Sequence, residues 1–183
     1  MSKHFEHFFK RCVELAGNCQ FKEQPTGADW RQLEHEIGRR IPPDHQQFVS
    51  YFGSGTFGDD LYLLNPRASD RCRFDARRLE QNREEKRLLL EDVGCDTYPK
   101  TNLLLIAFTT SRMDLLLDVK DQSGDQLMFL DLGQMAQVPL QMSAAEFVCK
   151  LYLGEFDEQW SAGVRRSIWV ERETPFFRPF STG

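Results

Sequence analysis

Histidine is the side chain best suited to bind a metal or to move a proton near neutral pH, and the chain has four histidines. His4 and His7 are three positions apart, and His35 and His45 flank the segment IGRRIPPD. A metal site needs three or four converging ligands, whereas these pairs are separate and no HExxH pattern occurs. The pattern therefore predicts surface or core histidines and no metal site.

The cysteines also lack the spacing of a metal or redox site. There are five, an odd number, and no CxxC pair is present. Such a set indicates reduced thiols that pack in the interior of a cytoplasmic protein. The N-terminal segment MSKHFEHFFKRC has scattered charges and no apolar centre of the kind found in secretory leaders, and no apolar run is long enough to cross a membrane. A cytoplasmic location without membrane contact is therefore expected.

Ser54 is the candidate nucleophile, because it lies between two glycines in FGSGTFG. A nucleophile elbow needs a strand before the serine and a helix after it, whereas here a predicted helix leads into the serine. The spacing GSGTFG also resembles a dinucleotide-binding loop, but it lacks the flanking strand and helix that such a loop requires. The motif therefore indicates a structural turn, and the sequence predicts no catalytic residue, no cofactor and no enzymatic activity.

The net charge of −5 is concentrated in one segment. Residues 91–131 hold eight acidic and three basic residues, which accounts for the whole net charge. An acidic patch of this kind repels nucleic acid and attracts basic partners. The alternative is a nucleic-acid surface on the arginines between positions 71 and 87, but acidic residues interrupt that stretch. A protein partner is therefore predicted, and nucleic acid is not.

The N-terminal half carries the patterns of helices. Apolar residues recur at helical spacing from Phe5 to Ala16, which predicts a helix over residues 2–16. A second helix follows the turn QPTGAD, and a third begins at IPPD, since proline is tolerated in a first turn. A strand is expected over residues 57–64, and an exposed, charged helix in the later part of residues 70–87.

The C-terminal half predicts a mainly antiparallel sheet flanked by helices, so the expected fold class is α+β. Strands are expected at residues 102–108, 113–119 and 126–131, and the short turns between them make them antiparallel neighbours. A Ser143–Glu146 capping box predicts one more helix after the sheet.

Alternation along the middle strand identifies the candidate site. Period-2 alternation places Met113, Leu115, Leu117 and Val119 on the core face, and it places Asp114, Leu116 and Asp118 on the face towards solvent. The predicted partner-binding residues are the four aspartates on that outer face and in the turn after it, Asp114, Asp118, Asp121 and Asp125. The alternative is that these carboxylates only solvate an exposed sheet face.

The C-terminal residues differ in composition from the rest. We expect residues 1–154 to form the domain and residues 155–183 to form an extension rich in aromatic residues and arginine. This extension either wraps the domain or meets a partner, because Trp, Phe and Arg are typical of interfaces. Its larger aromatic residues, Trp160, Trp169, Phe176, Phe177 and Phe180, are alternatively part of the core.

The segment DWRQLEHEIGRRIPPDHQQFVSYFGSGTFGDDLYLLNP resembles the N-terminal signature of the SUKH superfamily. That signature has a helix with an aromatic residue and an acid, then LG-x-x-LP, a second helix with aromatic residues, a glycine-rich turn and a strand. The positions that match it here are Trp30, Glu34, Gly38, Pro42, Phe48, Gly53 and Gly55. The resemblance covers roughly residues 26–155, and Ile41 stands where leucine is usual.

This resemblance implies an α+β fold and, most often, a bacterial immunity protein. Such a protein would bind a cognate toxin domain, for example a nuclease, and block its active site. A regulatory or scaffold module that binds proteins without catalysis is the alternative, since a fungal cell-wall regulator belongs to the same superfamily. The sequence leaves the toxin, the contact residues and the oligomeric state open.

Overall fold

A computed structural model describes residues 3–58, 60–69, 72–92, 103–110, 113–120, 124, 126–131, 136–156 and 175–180. The helices in these ranges are α1 (Lys3–Ala16), α2 (Gly27–Ile37), α3 (Pro43–Phe52), α4 (Ala76–Asp92) and α5 (Ala144–Leu153). The strands are β1 (Gly55–Phe57), β2 (Leu61–Leu63), β3 (Leu103–Phe108), β4 (Met113–Asp118), β5 (Gln126–Asp131), β6 (Ala136–Gln141) and β7 (Phe177–Pro179).

The described strands form one antiparallel sheet in the order β6-β5-β4-β3-β2-β1-β7. The fold class is α+β, as predicted. The three predicted central strands are confirmed as β3, β4 and β5, with bounds within one residue of those expected. The region predicted as one strand over residues 57–64 is instead a hairpin of β1 and β2, because the chain turns at Gly58 with a positive φ.

One face of the sheet carries the main core. Leu115 of β4 pairs with Phe129 of β5, so both side chains lie on this face, and the ring of Phe129 is 6.2 Å from that of Phe147 in α5. Helix α1 packs on α5 through its buried stripe of Phe5, Phe8, Cys12 and Ala16, as the helical periodicity predicts. Burial of these aromatic and aliphatic side chains is the main source of stability.

The segment that joins α2 to α3 is held by a short network of hydrogen bonds. Helix α2 begins with a Thr26–Asp29 capping box and ends at Gly38 in the left-handed conformation, with φ of 66°. One carboxylate oxygen of Glu34 accepts hydrogen bonds from the backbone N–H of Ile41 at 2.8 Å and from the side-chain amide of Gln46 at 3.0 Å. Pro42 then occupies the N-cap of α3. These contacts fix the angle between the two helices.

The aromatic residues of the same segment are anchored in the core. Trp30 is buried, and its indole N–H donates a hydrogen bond of 2.8 Å to the hydroxyl of Ser50. Phe48 is fully buried among Phe52 and Phe57.

The glycine-rich turn after α3 makes a close backbone contact. Gly53 has φ of 69°, and a Cβ at this position would lie 1.9 Å from the carbonyl oxygen of Lys22. Only glycine fits this approach without a shift of the backbone. Gly55 begins β1 directly after this turn. The turn is therefore structural in its geometry, in agreement with the interpretation of the sequence motif.

Residues 175–180 return to the sheet at the end of the chain. Strand β7 pairs with β1, and Phe176 and Phe177 are buried in the main core. Phe180 is half-buried and stacks on Tyr62. Trp160 and Trp169 lie outside the described residues. The aromatic residues at the end of the predicted extension therefore serve as core, the second of the two interpretations given above.

Candidate partner-binding surface

The four aspartates predicted to bind a partner do not form one exposed face. Asp114 lies in β4 with only 3% of its surface exposed, so the prediction that it faces solvent is wrong. Asp118 is half-buried, and its Oδ1 accepts a hydrogen bond of 2.9 Å from the backbone N–H of Lys120. Asp121 and Asp125 lie outside the described residues. Asp118 is thus the one described member of the set that reaches the surface.

Asp114 is buried because helix α4 covers part of the sheet face on which it lies. Strand pairing places Phe108 beside Asp114 and Leu105 beside Leu116 on this second face. The guanidinium of Arg78 in α4 lies 5.6 Å from the centre of the Phe108 ring. Alternation identified the correct face for these residues, but it could not show that a charged helix lies over it.

A groove of about 230 Å³ lies where α4 approaches the sheet, and the end of α2 forms its other side. Its apolar lining comes from Ile37, Leu79, Leu103 and Leu116. Leu116 is buried, whereas the other three are half-buried and reach the open part of the groove. The groove therefore presents aliphatic surface from a helix on each side and from the sheet below.

Charged side chains form the rim of this groove. Glu36 and Arg39 lie on the α2 side, and Glu80 and Arg83 lie on α4. Glu36, Glu80 and Arg83 are exposed, and Arg39 is half-buried. An apolar centre with a rim of charged residues is the arrangement typical of protein–protein contact surfaces. We call the rim and lining together the α2–α4 groove.

The surface is also uneven around the start of α4. Two shallow, open depressions there are lined by residues of the loop before α4 and of its first turns, among them Arg73, Asp75 and Arg77. Arg73 pairs with Asp75 at 3.3 Å, and Asp75 also caps the start of α4 by accepting the N–H of Arg78 at 2.8 Å. Arginine and carboxylate side chains are therefore interspersed around the start of α4.

Ser54, the candidate nucleophile, is fully buried in a polar network. Its hydroxyl accepts a hydrogen bond of 2.8 Å from the side-chain amide of Asn65, which also donates to the carbonyl oxygen of Glu23 at 2.9 Å. Glu23 has a positive φ of 52°, and its carboxylate accepts hydrogen bonds from the backbone and hydroxyl of Ser69. Burial opposes ionisation of Glu23, but the hydrogen bonds from Ser69 and Ser54 lower its pKa. The network joins three loops and has the form of a structural clamp.

The histidines are dispersed. His45 is buried in α3, with its ring 6.4 Å from that of Trp30, and burial lowers the pKa of His45 to about 4. His4, at the start of α1, pairs with the buried carboxylate of Glu146 at 2.5 Å. No group of three or more side chains suited to hold a metal occurs among the residues whose positions are described. In the same ranges, no helix has both the length and the apolar character needed to cross a membrane.

The groove residues were missed from the sequence. In the described side chains of α4 the apolar positions are few, chiefly Ala76 and Leu79, so a charged, exposed helix was expected there. The available signal was β3, an uninterrupted apolar run from Leu103 to Phe108. A strand without alternation is buried on both faces, which implies that something covers the second face of the sheet.

Comparison of the chain with protein families, with curated proteins and with solved structures finds no match in any of the three.

Proposed function

We propose that this protein is an immunity protein that binds a cognate toxin domain and neutralises it by blocking its active site. The observation that carries the proposal is the α2–α4 groove, which combines an apolar lining with a charged rim on an open surface. The resemblance of residues 26–155 to the SUKH superfamily supports the choice of a toxin domain as the partner.

The size of the groove favours a protein partner whose anchor side chain enters it. A volume of about 230 Å³ suits one or two large side chains. A stable interface buries about 800 Å² on each partner, so the rim and the depressions around the start of α4 would have to contribute as well. Energetically important contacts in such interfaces concentrate in a central pocket, surrounded by residues that exclude water. The aliphatic lining of the groove would form such a central pocket, and the four charged residues of the rim would surround it.

The acidic segment supports the choice of a toxin that acts on nucleic acid. Enzymes that bind nucleic acid have basic substrate channels, and the net charge of this chain lies in residues 91–131. Asp118 is at the surface at the end of β4, next to Leu103 of the groove in the strand pairing. Acidic residues near the groove would attract a basic partner and speed its association. Asp114 is left out of this surface because it is buried.

Co-expression with toxin domains tests the proposal. The chain would be produced in a bacterial host together with each of a panel of nuclease and deaminase toxin domains, including any that is encoded beside it. We expect one domain to be neutralised, with growth restored and a complex that survives gel filtration. A complex without restored growth would favour the regulatory or scaffold module, and failure of binding and rescue across the panel would contradict the proposal.

A further inference from the structure

Three arginines line one of the depressions at the start of α4. This depression has a volume of about 420 Å³. Most of its lining side chains are hydrogen-bond donors: Arg73, Arg77, Arg78, Gln81 and Asn82. The carboxylates in the lining are those of Asp75 and Glu85. Among the described lining residues of α4, Asn82 alone also belongs to the α2–α4 groove, so the two concavities are separate sites.

The positive charge of this depression is only partly neutralised. Asp75 is already engaged, because it pairs with Arg73 at 3.3 Å and accepts the N–H of Arg78 at 2.8 Å. Glu85 lies two helical turns beyond Arg77, which is about 12 Å along the helix axis. The ion pairs formed between described residues include neither Arg77 nor Arg78. Within the described ranges, two guanidinium groups of the lining therefore have no acidic partner.

An aromatic ring holds one of these two guanidinium groups in position. The side chain of Arg78 is half-buried, and its guanidinium lies 5.6 Å from the centre of the Phe108 ring. Phe108 is itself stacked on Tyr62, with the ring centres 5.3 Å apart. A guanidinium that packs over a ring keeps the N–H groups of its edge available as donors. Arg78 is thus positioned to bind an anion with little further loss of side-chain entropy.

The placement of the two arginines does not favour the helix that carries them. The N-terminus of a helix has a partial positive charge, so basic side chains are unfavourable in the first turn. Helix α4 has Arg77 and Arg78 in its first turn and no acidic residue there. Residues that oppose local stability in this way are typical of functional positions.

We propose that this depression binds a phosphate group, carried by a small molecule or present as free phosphate. The planar guanidinium fork donates two parallel hydrogen bonds to phosphate oxygens, so Arg77 and Arg78 would supply most of the binding energy. The side-chain amides of Gln81 and Asn82 can donate to the remaining oxygens. The volume of about 420 Å³ exceeds that of one phosphate, which leaves room for an attached sugar or base.

The charge pattern of α4 favours a small phosphorylated molecule over a nucleic acid. A nucleic acid needs basic residues along the length of its phosphate backbone. Along α4 the arginines of the depression are followed by the exposed carboxylates of Glu80, Glu84 and Glu85, which would repel such a backbone. This inference does not depend on the proposed toxin partner, and its test uses the full-length chain alone.

NMR spectra of the arginine Nε–Hε groups test the proposal. The full-length protein would be titrated with inorganic phosphate and, separately, with adenosine monophosphate, at an ionic strength held constant with sodium chloride. We expect saturable shifts of the Arg77 and Arg78 signals in both titrations. Tighter binding of adenosine monophosphate would identify an organic phosphate as the ligand, and equal affinities would identify free phosphate; both results support a phosphate site.

Two variants show whether the shifts come from the depression. Arg77→Gln should weaken phosphate binding about tenfold or more, because hydrogen bonds to a charged group are lost, and Arg77 is exposed, so the core is not disturbed. Arg31→Gln removes the same charge from an exposed position of α2 outside this lining, and it should bind as the unmodified chain does. Shifts that do not saturate, or an equal loss in the two variants, would overturn the proposal. Tighter binding of a single-stranded oligonucleotide than of adenosine monophosphate, with a steep dependence on salt, would also overturn it.

Discussion

One carboxylate oxygen of Glu34 lies 2.8 Å from the backbone nitrogen of Ile41 and 3.0 Å from the side-chain nitrogen of Gln46. Gln46 also donates to the carbonyl oxygen of Ile41 at 2.8 Å, so the two side chains together satisfy both backbone groups of that residue. The acid bridges the turn between the two helices.

Replacing Glu34 by alanine should therefore destabilise the protein. The half-buried N–H of Ile41 would lose its acceptor, which costs about 1–3 kcal/mol. The measurement is the free energy of unfolding in urea. Glu34→Gln is the matched control, because its amide oxygen can still accept both hydrogen bonds, and it should lose less than half as much. Equal losses in the two variants would show that the charge, and not the acceptor, is what matters.

A glycine comparison tests the close backbone contact at the end of α3. Gly53→Ala should cost roughly 3 kcal/mol or more, because the added Cβ would collide with the carbonyl oxygen of Lys22 at a positive φ. Gly38 also has a positive φ, but nothing lies within 4 Å of a Cβ added there. Gly38→Ala should therefore cost only about 1 kcal/mol. Similar unfolding free energies for the two variants would refute the role given to the contact.

The buried His45 should make stability depend on pH. The ring nitrogens have no hydrogen-bond partner within the described ranges, and burial lowers the pKa from 6.5 to about 4. Because the unfolded state binds the proton more readily, stability is complete above the unfolded pKa. It falls as the pH drops towards the folded pKa and is constant below it. Between pH of about 7.5 and about 5 the loss due to His45 should be about 2 kcal/mol.

Urea unfolding at these two pH values measures that loss. His45→Leu removes the titrating group, so the difference between the two conditions should shrink by about the same amount in this variant. The comparison is insensitive to any constant effect of the substitution on stability. An unchanged pH difference in His45→Leu would mean that other groups cause the acid sensitivity.

Asp118 and the two aspartates that follow it in the sequence, Asp121 and Asp125, should act on the rate of association with the toxin domain. The variant with Asp118→Asn, Asp121→Asn and Asp125→Asn should associate more slowly and show a weaker dependence on salt, because steering by charge is screened by ions. Dissociation should change little. Stopped-flow association at several salt concentrations measures this, and rates equal to those of the unmodified protein would exclude these residues from steering.

Local patterns in the sequence account for most of the elements. The stripe from Phe5 to Ala16 fixes α1, and the alternation in β4 separates its two faces correctly. These predictions hold because each depends only on the spacing of apolar and polar residues within one short segment. Even the burial of Leu116, which alternation placed outside, agrees with its apolar character.

Contacts between distant segments were beyond such patterns. Strand β6 contains Pro139 and was not predicted, although it pairs along its length with β5. Strand β7 pairs with β1, which lies far from it in the sequence, and no local pattern predicts this pairing. Glu146 was expected to close a capping box, but among the described contacts its carboxylate binds His4 and Lys150, since α1 lies beside it. The groove itself depends on how α4 packs on the sheet. This packing could not be predicted, because α4 has few apolar residues.

Binding of the neutralised toxin domain by two charge-exchange variants tests the account most directly. Glu36→Arg with Arg83→Glu exchanges two charges of the groove rim, and Lys10→Glu with Glu14→Lys exchanges an exposed ion pair on α1; both variants keep the net charge. We predict that the rim variant binds at least about tenfold more weakly, a loss of about 1.4 kcal/mol or more, and no longer restores growth, whereas the α1 variant behaves as the unmodified chain. Full binding and rescue by the rim variant would contradict the claim that the α2–α4 groove is the partner-binding surface.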